Sequence, residues 1–423
     1  MMRSWGNLAF AAAREVVRLP SRGADLPAGR PLLAWGNGRS YGDVCVNGGG
    51  TTIHTRCLDR FMAFDATSGR LRVEAGMLLG EILELVTPQG WFLPVTPGTR
   101  FGTVGGAIAN DVHGKNHHRE GTFGRHVIGF ELLRSEGERL YCSATENADL
   151  FAASIGGLGL TGLITWAAIG LRRVPGLSII QRQERFNGLQ KFFELNQQAE
   201  LDSEHTVAWI DCLAREPRGI MISGNHAEEE HSSPPSARAW RVPLTLPFSV
   251  VNRLTLSAFN NVYFHRPLAQ GPIHFGSFLF PLDGILGWNR LHGRAGFFQY
   301  QCVLPGGIVP LTEFLQTIAA SGEASFLGVL KTFGDVASPG MLSFPMPGTD
   351  LAFDFPNRGA TTLRLFDRLD AIVAAAGGRL YAAKDARMPA ALFRSGYPGL
   401  ERFSRFVDPA FSSSFWRRVM EQQ

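Results

Sequence analysis

The chain has 423 residues, a net charge of +4, and 45% hydrophobic against 18% charged residues, a balance that supports a large core and two or three domains. So small a positive charge, with no run of lysines or arginines, argues against a nucleic-acid partner. Cys45, Cys57, Cys142, Cys212 and Cys302 are scattered and form no CxxC pair, so neither a disulfide framework nor a zinc site is expected, and reduced thiols fit a cytoplasmic setting. The 49 glycines predict many tight turns, and the 31 phenylalanines predict apolar surface beyond a minimal core.

In chain order, "MMRSWGNLAFAAAREVVRLP" has too brief an apolar patch for a signal peptide. "LLAWGNGRSYGDVCVNGGGTTIHT", 32–55, opens as a strand and then crowds Gly36, Gly38 and Gly42 around polar residues. A plain turn would need one or two glycines. A loop whose bare N–H groups cradle phosphate would need several, and that reading is preferred. "RLRVEAG" alternates as a strand, with Leu71 and Val73 on one face. "MLLGEILELVTPQG" has Leu79, Ile82, Leu83 and Val86 at helical spacing and stops at Pro88 and Gly90.

"TPGTRFGTVGGAIANDVHGKNHH", 96–118, turns at Pro97–Gly98. It then offers small residues, Gly105 to Ala109, for a flat ligand, followed by Asn110, Asp111, His113, Lys115, Asn116, His117 and His118. His113 and His117 have the spacing of helical metal ligands, but Gly114 interrupts them and nothing completes a set, so no metal is expected. A solvated loop and a loop lining a cofactor pocket both remain, the second preferred.

"VIGFELLRSEGERLYC" predicts a hairpin turning at Glu136–Gly137. The uncharged run 152–171 is long enough to span a membrane, but its glycines favour a buried loop followed by a buried strand. Within it, "GLGLTG" matches a dinucleotide fingerprint literally. It follows a helix-like "ADLFAAS" and precedes a strand-like "LITWAAIGL", the reverse of the Rossmann order, so the match is treated as a decoy.

Beyond Pro175, "AEEEHSSPPSARAW" is Pro/Ser-rich and expected to be mobile, and "LTLPFSVVNRLTLSAFNNVYF", 244–264, is apolar without clean periodicity. Then "GFFQYQCVLP", "LTEFLQTIAAS", "SFLGVLKTFG", "DLAFDFP", "TTLRLFDRLDAIVAAAGG" and "RLYAAKD" predict strand, helix, strand, strand, helix, strand, a sheet with helices on one face.

"GNGRSYGD", "TPGTRFGTVGGAIANDVHGKNHH", "GGLGLTGLI" and "YAAKD" together resemble the vanillyl-alcohol-oxidase type of FAD-binding oxidoreductase, and among these the decaprenylphosphoryl-β-D-ribose 2′-oxidase family. "FQYQCVLP", "FLGVLKTFG", "LSFPMPG" and "DFP" extend the likeness through nearly the whole chain after Pro31, with a looser match around 225–275 and a short segment before the first glycine loop.

The resemblance implies an α+β fold: an FAD-binding domain over 1–175, a substrate domain on an antiparallel sheet over 176–377, and a C-terminal segment, 378–423, that returns to the FAD-binding domain. Gly36, Asn37, Gly38, Arg39, Ser40 and Tyr41 would wrap the FAD pyrophosphate. Gly98, Thr103, Val104, Gly105 and Gly106, then Asn110, Asp111, Val112 and His113, would hold the rest of the dinucleotide and the flavin edge. Ile164 and Tyr381 would complete the cavity. The FAD would be non-covalent, because relatives with attached flavin place histidine where this chain has Arg39.

The implied reaction is oxidation of C2–OH of a polyprenylphosphoryl ribose to the 2-keto sugar, the first half of an epimerisation to arabinose in cell-envelope synthesis, with a separate reductase completing it. Lys384, Gln301 and His113 are the implied catalytic residues. Tyr41, Lys115, Gln299, Gln301 and Lys331 would contact the sugar or its phosphate. Lys384 would serve as a base if burial lowers its pKa, or as an alkoxide stabiliser if it stays charged, and the sequence leaves both open. A soluble sugar, alditol or aldonolactone oxidase of the same fold, and a non-catalytic flavin- or glycan-binding protein, are the alternatives. The expected location is cytoplasmic or peripheral at the inner membrane.

Overall fold

Alternation in "RLRVEAG" is realised in the strand Arg70–Glu74, which buries Leu71 and Val73. The protein is described by a computed structural model covering residues 2–228, 240–323 and 325–420. Arg70–Glu74 joins an antiparallel five-stranded sheet in the order Phe61–Asp65, Arg70–Glu74, Leu163–Gly170, Val127–Leu133, Arg139–Ser143. The predicted helix spans Leu79–Val86 and buries the expected apolar stripe against this sheet's core. A parallel three-stranded sheet, Glu15–Arg18, Thr51–His54, Leu32–Trp35, carries the first glycine loop at the end of its last strand.

"GLGLTG" lies between the helix Ala148–Ser154 and the strand Leu163–Gly170, so its surroundings are not those of a Rossmann turn. No described helix is long and apolar enough to cross a membrane.

The later part of the chain forms an antiparallel eight-stranded sheet. Its order is Gln270–His274, Ser178–Asn187, Arg218–Ala227, His205–Ile210, Gly328–Phe333, Gly348–Pro356, Phe297–Leu304, Arg379–Leu380. The helices Leu189–Asp202, Ile308–Ser321 and Ala360–Ala375 pack on one face, where Phe186, Phe192, Phe314, Phe353, Phe355 and Phe366 form a shared core. Each such ring contributes roughly 1.5–3 kcal/mol when fully buried. The largest fully buried side chains are all phenylalanines, while Phe61, Phe248 and Phe259 are the exposed ones. Phenylalanine abundance therefore reflects core volume more than surplus surface.

Two expectations need correction. The segment 244–264 is not aperiodic throughout: Arg253–His265 is a helix, capped by Asn252, whose side chain accepts from the N–H groups of Leu254 and Thr255. Its buried stripe is Leu256, Asn260 and Phe264, and a polar residue in mid-stripe obscured the period. "RLYAAKD" is a strand only over Arg379–Leu380, after which the chain turns. The stretch expected to be mobile falls mainly on 229–239, outside the described residues.

Candidate active site

Side chains alternate across a strand, so Tyr300 and Cys302 point to the helix-side core while Gln299 and Gln301 line a cavity on the other face. The same alternation on neighbouring strands brings Val329, Lys331, Asp350 and Ala352 to the cavity. All three glycine loops close it from the opposite side, around a volume of about 700 Å³.

The first loop is held at close quarters. Gly38 has φ +61°, and a Cβ on Gly42 would lie 1.5 Å from the carbonyl oxygen of Asp385. Only glycine lets the loop meet the turn that carries Lys384. Tyr41 N–H donates to Ala383 O at 3.0 Å across that junction. Asn37 Nδ2 donates to Phe101 O at 2.8 Å, tying the first loop to the second. Thr103 Oγ1 caps the helix Val104–Ala109 by accepting from Gly106 N–H.

Every predicted site residue but two lines this cavity. Val104 is fully buried in the core of the five-stranded sheet. Asp111 has φ +40° and accepts from Gly124 N–H and from the hydroxyls of Ser338 and Ser343, so it braces the loop from behind. Asn116, His117 and His118 do not line the cavity either: Asn116 Nδ2 donates to Pro94 O, and His117 and His118 start a short helix, His117–Glu120. The rings of His113 and His117 both pack on Phe333, at 4.9 and 4.5 Å between centroids. Glu204, His205 and His226 do bring ligand-type atoms within 4.8 Å of one another, away from the cavity lining, but Glu204 is already paired with Arg172.

At the sheet floor, Gln301 Nε2 donates to Asp350 Oδ1 at 3.0 Å and meets His113 Nε2 at 3.2 Å. His113 Nδ1 lies 2.9 Å from Lys331 Nζ, so both ring nitrogens face a nitrogen donor group. Lys331 Nζ also lies 3.2 Å from Asp350 Oδ2. Burial, then the charge of Lys331, holds His113 well below the ordinary histidine range, so it is neutral at neutral pH. Burial brings Lys115 down to about 7, with Lys331 adding to the shift, and its ammonium donates to Phe278 O. Lys384 Nζ lies 3.7 Å from the centroid of the Tyr41 ring, and burial lowers its pKa while Asp354 opposes.

Sequence reading missed Asp350, Asp354 and Trp5. Both aspartates belong to "TDLAFDF", where spacing by an even number puts them on one strand face. Trp5, from the segment before the first loop, forms a cavity wall and stacks on Arg39 at 4.3 Å.

The cavity suits a dinucleotide. Among the described residues, the N–H groups of residues 37–40 donate to no protein acceptor, leaving a row of free donors along the glycine loop. Asn110 Oδ1 and Arg39 Nε are buried at the cavity without partners. Free donors on one wall and polar side chains on the sheet floor are what pyrophosphate and a flavin edge require.

Residues 26–143 match the FAD-binding domain family. The chain is 35% identical to decaprenylphosphoryl-β-D-ribose oxidase of Mycolicibacterium smegmatis, over 99% of this chain and 97% of that one. An uncharacterised Streptomyces coelicolor protein is 33% identical over 81% of this chain and 99% of its own. Human Δ(24)-sterol reductase is 33% identical over 28% of this chain and 23% of its own. Fold, cavity and these likenesses define an FAD-dependent oxidoreductase acting on CH–OH groups. Within that class, the chain belongs to the decaprenylphosphoryl-β-D-ribose oxidase family.

Proposed function

We propose that this protein oxidises the C2 hydroxyl of a ribose carried on a polyprenyl phosphate, giving the 2-keto sugar that a separate reductase would turn into the arabinose epimer. The observation that carries the reading is a single cavity where Lys384, Lys331, Lys115, His113 and Gln301 face the glycine loops beneath an apolar rim. Full-length likeness to an oxidase of decaprenylphosphoryl ribose supports the same substrate class.

The first glycine loop and Thr103, Gly105, Gly106, Asn110 and Val112 would hold FAD, which when bound supplies the acceptor for the carbinol hydride. Lys384 receives the hydroxyl proton or stabilises the alkoxide. Gln301, fixed by Asp350, and neutral His113 orient the sugar, and Lys115 and Lys331 offer positive charge to its phosphate. Anaerobic addition of a prenylphosphoryl ribose should bleach the flavin. No bleaching, with bleaching by a free alditol instead, would replace this reading with that of a soluble sugar oxidase.

Arg39 cannot attach to flavin, so the cofactor is held without a covalent bond. Acid precipitation should release yellow flavin to the supernatant, and a coloured pellet would refute this.

The rim also supports a lipid surface as partner. Trp240, Leu244 and Phe248 are largely exposed, as are Leu254 and Val262 on the helix Arg253–His265 outside the cavity lining, and the strand Trp240–Arg241 pairs with Ile285–Leu286 at the cavity wall. Arg290, another wall residue, ties this segment down by donating to Val242 O and Pro243 O. The purified protein should float with anionic phospholipid vesicles, and Leu254→Asp with Val262→Asp should abolish flotation. Flotation unchanged by the pair would exclude this surface as the contact.

A further inference from the structure

The two aspartates of the Gly348–Pro356 strand are paired differently. Asp350 has a cation in contact, Lys331 at 3.2 Å. Asp354 has none. Its Oδ1 accepts from Gln299 Nε2 at 2.7 Å, its Oδ2 is buried without a partner, and the residue is fully inaccessible. Leaving half a carboxylate unsatisfied in a protein interior is costly unless a charge nearby compensates it. Lys384 likewise has no carboxylate within ion-pair distance among the described residues and rests over the Tyr41 ring, and its charge opposes the upward shift that burial gives Asp354. Gln299, the cross-strand partner of Asp354, lines the same cavity as Tyr41 and Lys384. One lysine and one aspartate, neither in an ion pair, are thus held by Tyr41 and Gln299, two residues of the same cavity wall.

We propose that Asp354 is a positioning residue that sets the protonation of Lys384, and through it the pH at which the substrate hydroxyl gives up its proton. The assignment rests on the reading of Lys384 given above. Burial drives Asp354 upward and Lys384 downward, while their mutual attraction opposes both shifts and favours the charged pair. Other groups facing Lys384 do not replace Asp354. Asp350 and Lys331 offset one another, His113 is neutral, and Tyr41 and Tyr381 are held as neutral phenols by burial.

The sign follows directly. A negative charge favours the ammonium, so removing it makes Lys384 lose its proton at lower pH. In the FAD-loaded enzyme with 13Cε-labelled lysine, the Lys384 resonance is identified by its loss in Lys384→Ala. Its titration midpoint should fall by roughly one pH unit in Asp354→Asn and return towards the parent value in Asp354→Glu. The limb of the pH profile of flavin reduction controlled by Lys384 should move to lower pH with it: the rising limb if the free amine acts, the falling limb if the ammonium does. A purely structural Asp354 would lower the rate evenly and leave the midpoint in place, and that result would overturn the proposal. Should Asp354→Asn fail to retain FAD, Gln299→Met gives the second test. It removes the bond that keeps Asp354 ionised, so the Lys384 midpoint should again fall, and an unchanged midpoint again refutes. The titration needs no substrate, so a shifted midpoint in an enzyme inert to prenylphosphoryl ribose would sink the substrate reading alone.

Discussion

Lys384→Ala should keep FAD and lose flavin reduction by roughly 10²-fold or more. Retention is expected because main-chain hydrogen bonds shape this turn and tie it to the first glycine loop. Tyr41 N–H donates to Ala383 O, and Lys384 N–H donates to Tyr381 O at 2.9 Å. Truncating the side chain leaves both in place. The lost group is the cavity-lining amine closest to the Tyr41 ring, with a pKa that burial brings down from the ordinary lysine range. A lysine so shifted is a competent proton acceptor where an exposed one is not. Anaerobic stopped-flow mixing measures the reductive step, and the spectrum of the bound oxidised flavin reports the site's integrity. Near-normal reduction in the variant would take Lys384 out of the chemistry.

The largest discrimination should lie between lipid-linked and free sugar. Catalytic efficiency on a prenylphosphoryl ribose should exceed that on ribose 5-phosphate by orders of magnitude. The polar groups of the floor would meet either sugar alike, so they do not separate the two substrates. The apolar rim can. Each methylene removed from water contributes about 0.8 kcal/mol, and a few isoprene units against the exposed Trp240, Leu244, Phe248 and Ile285 would gain several kcal/mol before ordering costs are subtracted. Steady-state assays with an artificial electron acceptor, comparing prenyl chains of increasing length, would measure this. Equal efficiency on both substrates would mean that the rim takes no part in binding and that the cavity serves a soluble sugar.

Tertiary context also changes the reading of the segment 244–264. Its amphipathic helix, Arg253–His265, is anchored by Asn260, whose Nδ2 donates to the buried Asp211 Oδ1 at 2.6 Å. A polar residue in mid-stripe looks like a break in apolar periodicity unless its distant partner is known. Exposed Leu254 and Val262 on the same helix blur the pattern further.

Some of the site was legible in the sequence because its requirement is local. Close backbone approach excludes a Cβ, and Gly42 against Asp385 shows how strictly, so glycine clusters announce the loops before their partners are known. Reversed order around "GLGLTG" was equally local, since a helix before and a strand after are periodicities of contiguous residues. Long motif resemblance carried Lys384, Gln301, His113 and Lys331 to the cavity. What only the tertiary structure decided depends on groups far apart in the chain. Val104 and Asp111 sit within a glycine-loop motif, yet one fills the core and the other accepts from Ser338 and Ser343. Asp350 and Asp354 read as ordinary strand residues until sheet pairing sets them against Gln301 and Gln299. Glycine reports a steric demand at its own position, whereas a buried charge takes its meaning from whichever opposite charge the fold brings near it.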